Sequence, residues 1–307
     1  MHVSNATSEH PRIAIIGSCQ VVGLAAAARR LLPGAEVIAW HIGVYPKDSD
    51  EDILALLPGF DLVISQIPDW DEHVSLHISS LREHGLNAIY LPVLVFPGFH
   101  PDTTYINAPD GSMRHGLGSD YHSLIIASAF ALGLPEQRVL PLFNSYVFAE
   151  LGYFEVFEAA KKALLNNFQN AGFDLEPLFD IWIRQIGQFM YTINHPHILA
   201  LATLCRVVLA RADLVDVMVP VPENIDDFLA AHFIWPTYPA LAKRIGLRGS
   251  TTFLAIANGQ AEDQARELPL ADYIAGCYRI YSSLEKDALR VGGVATACER
   301  LRAIVVS

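Results

Sequence analysis

An apolar run, a Gly-Ser-Cys-Gln turn and a helical stretch follow one another without a spacer between Arg12 and Leu32, and this succession limits the fold more than any other feature of the chain. Residues 12–16 read as a short buried strand. Residues 20–32 read as a helix closed by Pro33-Gly34. The same alternation continues. Residues 36–40 are expected as a strand and 50–57 as a helix whose acidic first turn suits its positive end. Residues 61–65 are a third strand, 71–84 a helix, and 88–95 a fourth strand ended by Pro97-Gly98. Short apolar strands separated by helices imply a parallel sheet covered on both faces. From Gly111 the pattern becomes helical, with helices expected over 120–132, 136–151, 154–171, 175–187 and 198–212, and notably over 270–291. Residues 189–193 read as a strand leading into Asn194-His195-Pro196. The expected fold is α/β: a Rossmann-like parallel sheet of about four or five strands at the N-terminus and a large, mainly helical C-terminal portion. Residues 1–110 form the expected α/β domain, and residues 111–307 the helical portion that contributes the Asn194-His195-Pro196 loop to the site.

Composition narrows the function classes. Of 307 residues, 52% are apolar and 18% charged, which suits a packed globular chain. A net charge of −12 argues against a general nucleic-acid surface, which needs clustered lysine and arginine. It leaves room for an anionic cofactor held locally by a few arginines or a helix N-terminus. The first ten residues lack the basic and apolar regions of a signal peptide, and no apolar run is long enough to span a membrane. Cys19, Cys205, Cys277 and Cys298 are scattered without paired spacing, which disfavours a zinc cage and fits a reducing compartment. The chain is expected to be cytoplasmic, without a metal; its oligomeric state is not written in the sequence.

A strand that runs straight into a helix places Gly17, Ser18 and Cys19 at the carboxyl end of the sheet, where open α/β folds bind ligands. Free backbone N–H groups and the helix dipole favour an anion there: a thiolate, an oxyanion or a phosphate. A cysteine in this setting can have a lowered pKa. The plain alternative is a small buried Cys19 with Ser18 as a helix cap. The turn lacks the full Gly-x-Gly-x-x-Gly dinucleotide pattern. Three histidines have suggestive contexts. His195 sits on a loop after a strand end and could serve as general base. His100 follows the fourth strand. His122 lies at a helix start that Ser119 or Asp120 could cap. The spacing of His100, Asp102 and His122 is not diagnostic of a metal site.

Taken in order, Gly17-Ser18-Cys19-Gln20, Ser65-Gln66, Phe99-His100-Pro101-Asp102, Ser119-Asp120-Tyr121-His122-Ser123 and Asn194-His195-Pro196 resemble the WcbI-type polysaccharide biosynthesis acetyltransferases of bacterial capsule synthesis, as far as about residue 215. That family usually shows Gly-Asn-Cys-Gln, so Ser18 is a departure beside the thiol. The resemblance implies coenzyme A or acetyl-coenzyme A as a substrate and O-acetylation of a polysaccharide sugar. It also implies a loose likeness to SGNH-type hydrolases, with Cys19 in the nucleophile position and His195 in that of their late histidine.

On this reading Cys19, His195 and Ser18 carry catalysis, and Gly17, Gln20, Gln66, His100 and Asn194 surround the coenzyme. Backbone N–H groups at Cys19 and Gln20, helped by Gln66 or Asn194, would stabilise an acyl oxyanion. Acylation of Cys19 and direct transfer are both open. Arg29 and Arg30 are explained by their helix end; Lys161, Lys162 and Arg184 could reach the sheet edge, where the coenzyme phosphates need positive partners, but solvated helix faces are the commoner explanation for them. Two other readings stand beside it: a carbohydrate esterase or deacetylase that uses the same residues with water as acceptor, and a non-catalytic sugar-binding protein in which Trp40, Tyr45, Trp70, Trp182, Trp235 and Tyr238 could stack on sugars, although most of them are more simply core.

Overall fold

A computed structural model describes residues 10–42, 49–256 and 265–306 of the chain. Tyr45 lies outside the described residues. The chain divides into two compact units. One holds the described residues up to Val95 with Leu164–Phe189 and Asn194–Leu229; the other holds Phe96–Ala163, Met190–Ile193 and the described residues from Ala230 onward.

The first unit is built on a four-stranded parallel sheet of β1 (Arg12–Gly17), β2 (Glu36–His41), β3 (Leu62–Ser65) and β4 (Ala88–Tyr90), in the order β2-β1-β3-β4. Helix α1 (Gln20–Leu31) links β1 to β2. Helix α2 (Asp50–Leu56) and the short α3 (Ile78–Glu83) make the crossovers toward β3 and β4. The order reverses direction at β1, so right-handed crossovers send α1 to one face and α2 and α3 to the other. Strand periodicity fits this: Ala14, Ile16 and Val63 pack with Ile53, Leu76, Ile78 and Leu81.

Later helices complete this unit: the end of α6 (Tyr153–Asn170), α7 (Glu176–Gln185) and α8 (Ile198–Arg211) follow α4 (Leu124–Ala131) and α5 (Ser145–Glu150) of the other unit. Helix α8 packs on α1 at Gly23, where an added Cβ would come within 2.6 Å of Leu201 Cδ1 and 3.3 Å of Ile198 Cδ1. Cys205 Sγ lies 3.5 Å from the Leu24 carbonyl on the same seam.

Several elements differ from the expected ones. The fourth strand stops at Tyr90 because Pro92 offers no N–H to a ladder. Residues 71–84 form a single 3₁₀ turn and then α3, since Asp71 Oδ1 accepts the His73 N–H in a local turn. Residues 120–123 are not helical: α4 starts at Leu124, capped by Ser123 Oγ rather than Ser119 or Asp120. Pro141 interrupts 136–151, and α5 starts at Ser145 with Asn144 as its cap. The expected strand over 189–193 does not form. Single bonds from Phe96 N to Ile193 O and from Trp235 N to Tyr191 O replace a ladder there. The tail is not wholly helical: Thr252–Ile256 and Ala265–Pro269 pair as an antiparallel hairpin. The expected helix 270–291 ends at Tyr281, and a separate helix spans Gly292–Val306.

The second unit has an aromatic core around Trp235, Phe253 and Tyr273 and a buried polar centre at Asp102. Asp102 accepts from Tyr153 (2.8 Å), Tyr238 (3.1 Å) and the Ile125 N–H (3.0 Å). Burial pushes its carboxyl up to about 6 against these donors and Ser123. Burial pushes the nearby His100 down to about 4, opposed by bonds to the Met190 and Pro236 backbone. The two signs oppose each other. The stabilisation from Asp102 is complete below its ordinary range and is lost as pH rises through about 6. The stabilisation from His100 is present above its ordinary value and is lost as pH falls through about 4. Urea unfolding of His100→Gln at pH 4, 5 and 6 should therefore uncover the Asp102 slope, with stability falling by ~2 kcal/mol from pH 4 to pH 6, against a flatter wild-type curve.

Candidate active site

Each strand of the sheet contributes to one cavity of about 410 Å³ at its carboxyl edge. Gly17 ends β1, Ile42 follows β2, Gln66 follows β3 and Tyr90 ends β4, and all four line it. Ser18, Trp70, Asp71, Glu72, His73 and Asn167 complete most of its wall. The cavity spans the switch point between β1 and β3, where Gln66 N donates to the Ile16 carbonyl at 2.8 Å. Gly17 is required there: a Cβ would come within 2.6 Å of Gln66 Cβ and 2.7 Å of Gln66 Oε1.

Gln20, the first residue of α1, is fully buried and organises the rim. Its Nε2 donates to the Leu94 carbonyl at 2.8 Å and the Asn194 carbonyl at 2.9 Å. Its Oε1 accepts from Leu94 N at 3.0 Å and, weakly, from Gln66 Nε2 at 3.4 Å. One amide thus ties the Gly-Ser-Cys-Gln turn to the segment after β4, to the end of β3 and to the Asn194-His195-Pro196 loop. Immediately after the loop, His197 Nδ1 accepts the Leu199 N–H and Asp227 Oδ2 accepts the Ile198 N–H, capping α8.

Two polar atoms of the cavity wall are buried without a hydrogen-bond partner: Ser18 Oγ and Gln66 Oε1. Such atoms cost free energy unless a ligand or water meets them. Cys19 caps α1 in αR geometry but does not line the cavity. Burial pushes its thiol above the ordinary cysteine value. The Ser18 hydroxyl, close but not aligned for a hydrogen bond, and the N–H groups of Cys19 and Gln20 oppose that shift without reversing it. The lowered pKa expected from the helix end is not found, because desolvation exceeds those contributions.

The structure gathers Gly17, Ser18 and Gln66 on the cavity; Cys19, Gln20, Asn194 and His195 belong to the same unit but do not line it. His195 is half-buried. His100 belongs to the other unit, buried, with Nε2 3.1 Å from the Met190 carbonyl. His122 contacts Tyr281 OH and the Arg114 carbonyl, and Asp102 is held by its tyrosines, so these three are engaged by protein groups. Among the described residues no cluster of histidine, cysteine and carboxylate side chains could hold a metal. Trp40, Trp182, Trp235 and Tyr238 are core residues, whereas Trp70 is 85% exposed at the cavity mouth.

Sequence reading missed two features. Asp50 and His73 form a close pair at the cavity, hidden because residue 73 was expected inside a continuous helix. Arg82 and Arg211 line an adjoining cavity of about 330 Å³ that shares Tyr90 with the first. Neither guanidinium has a carboxylate within 4 Å among the described residues; Arg82 Nε donates to the Ala88 carbonyl and Arg211 Nη1 to those of Ala171 and Gly172. Arg29 and Arg30 bond the Val37 and Asn224 carbonyls.

Among known proteins, the family described as polysaccharide biosynthesis enzyme WcbI matches residues 12–216, which takes in the sheet, the turn and the Asn194-His195-Pro196 loop. No curated protein and no solved structure gives a significant match. No helix among the described residues is long and apolar enough to cross a membrane.

Replacing Gln20 by alanine would leave the Leu94 N–H and two carbonyls without their partner, and should cost about 2–4 kcal/mol in urea unfolding. A change below about 0.5 kcal/mol would show that the amide is not the tie described.

Proposed function

The chain belongs to the WcbI family of polysaccharide biosynthesis enzymes, and on that footing we propose that it transfers an acetyl group from acetyl-coenzyme A to a hydroxyl of a capsular polysaccharide sugar. The observation that carries this reading is the cavity wall, where Ser18 Oγ and Gln66 Oε1 stand buried and unmatched beside the start of α1. A ligand rich in amides and hydroxyls would satisfy both atoms. The N-terminal N–H groups of α1 favour a developing oxyanion close by.

Coenzyme A pairs a thioester with distant phosphates, and the two cavities meeting at Tyr90 suit such a ligand. Arg82 and Arg211 supply cationic groups on one side and the Ser18 turn supplies polar groups on the other. Trp70 at the mouth offers a face on which a sugar could stack. Burial keeps the Cys19 thiol protonated at rest, which supports direct transfer over an acyl-cysteine. The motif order points to His195, on the loop that Gln20 tethers, although that residue does not line the cavity.

The test is consumption of acetyl-coenzyme A with and without sugar acceptors, followed by mass spectrometry of protein and sugar. The reading expects acetylated sugar, no acetyl group trapped on Cys19, and Cys19→Ala activity within about tenfold of wild type, or 1.4 kcal/mol of barrier. Release of acetate at the same rate without any acceptor would instead identify a hydrolase.

A further inference from the structure

The Asp50–His73 pair brings a titratable histidine of the cavity wall against a carboxylate, and the family motifs include neither residue. His73 Nδ1 lies 2.9 and 3.0 Å from the two oxygens of Asp50. Their side chains are only 12% and 8% exposed. Asp50 opens α2, where the helix dipole favours its negative charge. The His73 backbone is fixed as well, because its N–H donates to Asp71 Oδ1 at 3.0 Å. Among the described residues Nε2 has no hydrogen-bond partner, and His73 lines the same cavity as Ser18, Gln66 and Trp70. A histidine held at one nitrogen by a buried carboxylate, with the other nitrogen left available, is the arrangement general-base catalysis requires. His195 does not line this cavity.

We infer that His73, oriented by Asp50, is the general base that takes the proton from the acceptor hydroxyl in the cavity. This rests on the acyl-transfer reading for its substrate, but the base chemistry is the same if the acceptor is water. Asp50 holds the Nδ1–H tautomer and so directs the Nε2 lone pair to the hydroxyl. As the acceptor oxygen bonds to the acetyl carbonyl carbon, its proton passes to Nε2. Collapse of the tetrahedral intermediate breaks the carbon–sulfur bond, and the departing thiolate takes that proton from the imidazolium. The products are the acetyl ester and the free thiol, and His73 is neutral again. Asp50 is a positioning residue in this scheme.

The experiment compares wild type, His73→Gln, Asp50→Asn, Asp50→Glu and His195→Gln by three readouts. These are acetyl transfer from acetyl-coenzyme A to sugar acceptors, hydrolysis of p-nitrophenyl acetate, and the His73 tautomer by nitrogen-15 NMR. The inference expects an Nδ1–H tautomer in wild type that is lost in Asp50→Asn and kept in Asp50→Glu. It expects His73→Gln to lower kcat by about 10²–10⁴-fold while coenzyme A binding by calorimetry is unchanged. A folded His73→Gln protein that retains wild-type kcat while His195→Gln loses it would overturn the inference and leave the transferase reading standing. Hydrolysis of the model ester that depends on His73, without transfer from acetyl-coenzyme A, would keep the inference and remove the reading. An Nε2–H tautomer, or the absence of both activities in the wild type, would overturn the inference.

Discussion

The buried side-chain amide of Gln20 is the interaction on which the site depends. It uses both donor hydrogens and both acceptor positions, with partners at Leu94, Asn194 and Gln66. The strand-to-helix turn is fixed by its own backbone, but the other walls come from segments about 74 and 174 residues away in sequence. A fully satisfied amide in a dry interior is worth more than the sum of neutral surface bonds, and it specifies one arrangement of these segments. The close packing of α8 on α1 at Gly23 extends the same alignment along both helices.

With the rim fixed in this way, the cavity presents polar atoms that the protein itself does not satisfy. Gly17 allows Gln66 to approach the turn, and Ser18 stands beside it. Cys19, the residue that attracts attention in the motif, does not line this wall, and burial raises its pKa. The proposed chemistry therefore rests on groups that line the cavity, which Cys19 and Gln20 do not.

Much of the sheet was legible because β1, β2 and β3 are short apolar runs with clear punctuation, and the turn at Gly17 follows from the abrupt change of pattern. The α8 helix was legible for the same reason. Local signals failed where proline or a short polar side chain overrode an apolar pattern, as at Pro92, Asp71 and Pro141. The strand Thr252–Ile256 is a short apolar run bounded by β-branched residues, and that pattern could have revealed it. The Asp50–His73 pair could not, since it depends on tertiary packing between residues 23 positions apart. Arg82 and Arg211 are likewise joined only by the fold, and nothing in their local sequence marks them as neighbours of one cavity.

The most direct measurement is a crystal structure of the protein with bound coenzyme A. The account expects the thiol end in the cavity bounded by Gly17, Ser18, Gln66 and His73, with the phosphates toward Arg82 and Arg211. Coenzyme A bound away from the carboxyl edge of the sheet, or a cavity that stays empty at saturating coenzyme, would contradict it.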